Sequence, residues 1–175
     1  MARRHLAVAL LPPPEISAAI DGLRGAVGDP NLRRIPPHIT LVPPVNVAVD
    51  AFDDALAIAG DASRRVGPFG LRVGPPTTFL PATPVLYLAV AGELDALFTL
   101  RTAVYTGLWE RPLEWPFVPH VTLHDRATPE RIDAAIVALA DATFDFHVRE
   151  IHVLEEFAGR VWRPIASFPL RTRYS

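Results

Sequence analysis

Apolar positions along the chain follow two alternating rhythms. His5 to Leu11 is a short apolar stretch of strand length, whereas Ile16, Ile20, Leu23 and Val27 fall three or four apart and predict a helix over Glu15 to Val27. Pro14 suits the first turn of that helix. After the Gly28, Asp29, Pro30 break, His38 to Val42 is rich in β-branched and apolar residues and predicts a strand fenced by Pro36, Pro37, Pro43 and Pro44. Asp50 is placed to cap a helix reaching about Val66. Phe69 to Val73 predicts the next strand, followed by a proline-rich loop from Pro75 to Pro84.

The second half repeats this order. Val85 to Ala91 predicts a strand, Glu93 to Trp109 a helix, and His120 to His124 a second short histidine strand. Thr128, followed by Pro129 and Glu130, has the residue types of a helix start, and that helix is expected to reach about Ala140. Phe144, Phe146 and Val148 alternate as a strand continuing toward Leu154, and Val161 to Leu170 closes the chain after a turn at Gly159. The interval from first strand to histidine strand is nearly equal in the two halves. The expected architecture is therefore α+β: one duplicated domain over 1–175, with lobe one at about 1–75 and lobe two at about 85–175.

Inside the repeat lies a repeated pentapeptide. Pro37, His38, Ile39, Thr40 and Leu41 recur as Pro119, His120, Val121, Thr122 and Leu123, with only Ile exchanged for Val. Alternate side chains of a strand share a face, so His38 with Thr40, and His120 with Thr122, stand opposite their apolar neighbours. If the halves pack about a pseudo-two-fold axis, both pairs converge on one cleft. Phosphodiester cleavage needs a base at the attacking oxygen and an acid at the leaving oxygen, and two imidazoles supply both near neutral pH. Thr40 and Thr122 would hydrogen-bond the non-bridging phosphate oxygens.

These eight positions, His38-Ile39-Thr40-Leu41 and His120-Val121-Thr122-Leu123, resemble the paired His-x-Thr-x signature of the 2H phosphoesterases, the family of the RNA 2′,3′-cyclic phosphodiesterase or 2′-5′ RNA ligase. The resemblance implies two similar α+β lobes around a central cleft, each a small, mainly antiparallel sheet with helices outside. It also implies metal-free hydrolysis of 2′,3′-cyclic phosphates. Family members often carry an arginine two residues beyond the second motif. Asp125 stands there in this chain, with Arg126 one step later.

Composition narrows the remaining chemistry. With no cysteine, thiol nucleophiles, disulfides and zinc ribbons are excluded, so a metal site would need histidine and carboxylate. His120 and His124 are too far apart along a strand, about 13 Å at roughly 3.3 Å per residue, to share one ion. No Asp or Glu flanks either strand in a position suited to share an ion with its histidine, and the expectation is no metal and no cofactor. All 17 basic residues are arginine, which removes Schiff-base and P-loop lysine chemistry. A net charge of −2 without a basic run argues against gripping long nucleic acid by its backbone alone and leaves a small anionic ligand open. Taken with the resemblance, the expected partners are small nucleotides or short RNA with a cyclic phosphate end.

Candidate substrate contacts are His124, which shares the His120 face, together with Arg126, Arg160, Arg163, Phe157 and Trp162; Trp115 and Phe117 are further candidates for stacking on a base. His5, His147 and His152 read as ordinary strand or surface residues. The apolar stretch after Arg3 and Arg4 ends in three prolines with no small-residue cleavage site, and no apolar run reaches the roughly 18 residues of a membrane span. A cytoplasmic monomer without membrane attachment is expected. Two other readings remain: a non-catalytic nucleotide or RNA-binding module with the same cleft, and an esterase for another small cyclic phosphodiester such as an ADP-ribose cyclic phosphate.

Overall fold

The computed structural model describes residues 2–171. In chain order the elements are β1 (Arg3–Leu10), α1 (Pro14–Ala26), β2 (Ile39–Ala48), α2 (Phe52–Ser63), β3 (Phe69–Thr78) and β4 (Leu86–Gly92). They continue with α3 (Leu94–Val104), β5 (His120–His124), α4 (Pro129–Ala138), β6 (Phe144–Val148), β7 (Glu150–Phe157) and β8 (Val161–Pro169). The strands form two four-stranded sheets, ordered β2-β1-β7-β8 and β5-β4-β3-β6, and every pairing is antiparallel. Helix α2 covers β7 and β8, α4 covers β3, and α3 packs beside α2.

In the two orders β2 takes the place of β5 and β1 that of β4, so each histidine strand lies at the edge of its sheet. The sheets do not divide the chain at its middle, however. β3 joins the second sheet, and β7 and β8 return to the first, so lobes drawn at about 1–75 and 85–175 cut across both sheets. The alternation expected to run unbroken from Phe144 to Leu154 is in fact two strands: at Arg149 the chain leaves β3 and moves over to β1. Local alternation states which side of a strand is apolar. It does not state which neighbour supplies the hydrogen bonds.

Prolines also terminate less than expected. β2 runs through Pro43 and Pro44 to Ala48 because it lies at a sheet edge, where shifts of register between Leu6 and Val8 and between Val8 and Ala9 each absorb one extra residue. β3 likewise passes through Pro75 and Pro76, beyond the point where β6 stops pairing at Val73. Asp50 caps nothing: a 3-10 turn over Val49–Ala51 precedes α2, which starts without a side-chain cap. Thr128 does cap α4, accepting the Arg131 backbone N–H at 3.3 Å. α3 ends at Val104, and a separate 3-10 turn carries Trp109 into the core, where its indole N–H donates to the Ala55 carbonyl at 3.0 Å.

Leu6, Val8 and Leu10 of β1 and Leu86 and Leu88 of β4 are fully buried, as are Ile39, Leu41, Val121 and Leu123. The last four are the apolar half of the two repeated motifs. Each such side chain contributes roughly 1.5–3 kcal/mol by leaving water. That burial presents the histidines and threonines on the opposite face.

Candidate active site

His38 immediately precedes β2, and His120 opens β5. Both imidazoles are held in the same way. His38 Nδ1 lies 2.8 Å from the Pro36 carbonyl and His120 Nδ1 lies 2.7 Å from the Val118 carbonyl, so each Nδ1 carries the proton and donates it. Each acceptor lies two residues upstream, across Pro37 or Pro119. A proline disfavours helical backbone in the residue before it, and this local stiffness holds the accepting carbonyl. Nε2 of each ring is left to exchange a proton with another molecule.

Electrostatics separates the two rings. The His38 pKa is lowered to about 4, chiefly by burial, with its Pro36 hydrogen bond in partial opposition and the charges of His120 and Arg24 adding to the fall. Burial also lowers His120, again opposed by its backbone carbonyl. His120 packs edge-on against Phe79 and Tyr87, at 5.1 and 5.4 Å between ring centres, and those two rings stack on each other. The fold loses stability as pH falls from about 6.5 toward about 4, because the unfolded chain takes up the His38 proton there and the folded chain does not.

Thr40 faces Ala9 across the strand pair and lines two cavities. One, of about 210 Å³, is walled by His38, His5, Glu156, Arg160 and Trp162. The other, of about 540 Å³, runs from His120 past Phe79 to Trp115, Phe117 and Arg101. Thr122 lies opposite Tyr87 on the His120 face, half-buried, and lines neither.

The substrate-contact candidates divide. Trp162 and Arg160 stand beside His38, and Arg160 approaches Glu156 at 3.8 Å. Phe157 and Arg163 do not: Arg163 opposes Glu155, and strand alternation puts it and Phe157 on the face away from Trp162 and Glu156. There the Arg163 guanidinium lies 5.8 Å from the Phe157 ring. His124 is only 6% exposed, and its Nδ1 accepts the Arg126 backbone N–H at 3.1 Å. It shapes the turn after β5, while Arg126 is exposed and lines neither cavity. Asp125 accepts from the Asn31 amide at 3.0 Å, tying the end of β5 to the loop ahead of His38.

Sequence reasoning passed over two groups. His5, read as ordinary, faces the His38 cavity with Nδ1 at 2.5 Å from Glu156 Oε2 and its ring against Trp162. Arg24, at the end of α1, is 2% exposed. Its guanidinium donates to Asp29 at 2.7 Å, to Asp21 and the Ile35 carbonyl at 2.8 Å, and to the Asn31 carbonyl at 3.0 Å. Arg24 therefore braces the loop that delivers the Pro36 carbonyl to His38. The signal was present in the Arg24 to Asp29 spacing across a Gly-Asp-Pro break.

A model of the 2′-5′ RNA ligase superfamily matches residues 12–160. A Bacillus licheniformis protein, provisionally named a phosphoesterase, is 27% identical over 144 residues, which is 81% of this chain and 85% of its own. Among solved structures, E. coli LigT in its apo form aligns with a TM-score of 0.72 at 21% identity, covering 98% of this chain and all of LigT. LigT complexed with 3′-AMP aligns with a TM-score of 0.69 at 20% identity, covering 97% and 99%.

Proposed function

Because this chain belongs to the 2′-5′ RNA ligase superfamily and is a 2H phosphoesterase, we propose that it opens 2′,3′-cyclic phosphate ends of nucleotides or short RNA by paired-histidine acid–base catalysis. The observation that carries the reading is the matched tethering of His38 and His120, each Nδ1 bound to a carbonyl and each Nε2 left over. His38, whose protonated form is the more strongly disfavoured, is the base. It takes a proton from water as the water oxygen bonds to phosphorus. The bond from phosphorus to one ring oxygen breaks, and His120 gives that oxygen its proton, leaving a phosphomonoester. Thr40 and Thr122 hydrogen-bond the non-bridging oxygens.

LigT structures hold 3′-AMP, NADP+ and ATP, and this range of small nucleotides supports a nucleotide-sized substrate here. No helix among the described residues is long and apolar enough to cross a membrane. The proposal takes residues 1–175 as one domain acting as a cytoplasmic monomer. Its test is turnover of adenosine 2′,3′-cyclic phosphate: a phosphomonoester product supports it, and saturable binding without product makes the chain a binding module.

Two further results are expected. With both imidazoles below 6.5, kcat/KM is bell-shaped with its maximum on the acidic side of 6.5, and its apparent pKa values belong to the coupled pair. An anionic phosphodiester favours the imidazolium form, so the kcat profile lies at higher pH than the kcat/KM profile. A monotonic profile from pH 4 to 9 would contradict opposite protonation states. Secondly, no three His, Asp or Glu side chains cluster as metal ligands among the described residues, and the rate is expected to be the same with and without EDTA. Loss on chelation with recovery on adding a divalent metal would overturn that expectation.

A further inference from the structure

The cavity beside His120 contains a buried cation that the mechanism above does not use. Its walls are apolar or aromatic, with Phe79, Trp115, Phe117, Pro43 and Pro44 among them, and Arg101 is the one Arg, Asp or Glu that lines it. Its volume of about 540 Å³ lies within the range of small-molecule sites.

Arg101 differs from Arg24 in its partners. Both are nine-tenths or more buried, yet Arg24 has two carboxylates and two carbonyls, whereas Arg101 Nε has no hydrogen-bond partner and no carboxylate pairs with it among the described residues. Its guanidinium instead lies 3.8 Å over the Tyr105 ring and 4.7 Å from that of Phe117. Ring faces offset part of the cost of burying a cation but leave its in-plane donors unfilled.

The cradle is braced from both sides. The Tyr105 hydroxyl donates to the Arg111 carbonyl and accepts the Arg111 backbone N–H at 3.2 Å, while the Arg111 guanidinium reaches the Pro44 carbonyl on the cavity wall at 2.6 Å. Phe98 packs edge-on against Phe117 at 5.8 Å. A planar cation held this way, in a cavity without a negative charge, is suited to a doubly accepting anion such as phosphate.

We propose that Arg101 determines specificity by binding a second phosphate of the substrate, distinct from the cyclic phosphate at the histidines, while the aromatic wall receives the base. This rests on the cyclic phosphodiesterase reading for its turnover arm only. The second phosphate has two sources, a 5′-phosphate on a mononucleotide or the next backbone phosphate of a short RNA.

The experiment compares kcat/KM for three substrates: adenosine 2′,3′-cyclic phosphate, its 5′-phosphorylated form, and a diadenosine with the same cyclic end. Wild type is expected to prefer one of the latter two by about tenfold or more, mainly through KM, as a charge-assisted contact would give. Which of the two is preferred identifies the source. In Arg101→Gln the ratio falls toward one, and Arg101→Lys recovers part of it. A ratio near one in wild type, or an equal fall on all three substrates in Arg101→Gln with the ratio kept, overturns the proposal. If no substrate turns over, the catalytic reading fails, and the Arg101 inference is decided by binding. Adenosine 3′,5′-bisphosphate must then bind wild type more tightly than 3′-AMP, with the difference lost in Arg101→Gln. Equal affinities overturn it. The wild-type comparisons remain decisive even if both variants fail to fold.

Discussion

Alanine at His38 or at His120 lowers kcat/KM on a 2′,3′-cyclic nucleotide by at least about 10²-fold, the usual cost of a lost acid or base, while thermal unfolding stays near wild type. Neither imidazole is among the buried core side chains; the core contribution of each motif comes from Ile39 with Leu41 and from Val121 with Leu123, which the substitutions leave in place. Each variant loses one hydrogen bond to a carbonyl, at Pro36 or Val118. The pH profile separates the two roles. Removing the base His38 abolishes the acidic limb of kcat/KM, and removing the acid His120 abolishes the alkaline limb. Because the two act as a unit, the double variant loses much less than the product of the single losses. Near wild-type turnover in either single variant would overturn the paired mechanism.

The largest expected loss of stability comes from a residue that touches no substrate. Arg24→Ala destabilises the fold by about 3–5 kcal/mol, as breaking one side of a buried ion pair does. The Asp29 side chain is left 3% exposed without its cation, and the carbonyls of Asn31 and Ile35 each lose a donor. Urea unfolding measures the loss, and Arg24→Met combined with Asp29→Leu recovers part of it because no charge is then stranded. Activity falls as well, since the loosened loop carries both the Pro36 carbonyl and Asn31, the partner of Asp125. A loss below about 1 kcal/mol would show that the loop is held elsewhere.

Particular residues mark where local pattern suffices and where it does not. The repeated pentapeptide reads directly as two strands with one apolar face, and Thr128 as a helix start, because alternation and capping involve only a few consecutive residues. Phe157 and Arg163 are a different case: the same alternation, followed with the correct register between β7 and β8, turns them away from Trp162. His124 carries the apparent face of His120 but is filled in by the turn that follows it.

By itself the sequence determined the order of most helices and strands, though not all of their ends, and the side of each histidine strand that turns from the core, for these depend on side chains within one or two turns of the chain. Only the tertiary structure decided that β7 and β8 return beside β1, bringing Glu156 and Trp162 against His5 and His38. It also decided that Arg24 finds two carboxylates while Arg101 finds only rings, and that His38 is driven down to about 4. Burial and charge act through space, and the neighbours that set them come from distant segments, as His5 and Glu156 do at 151 residues apart.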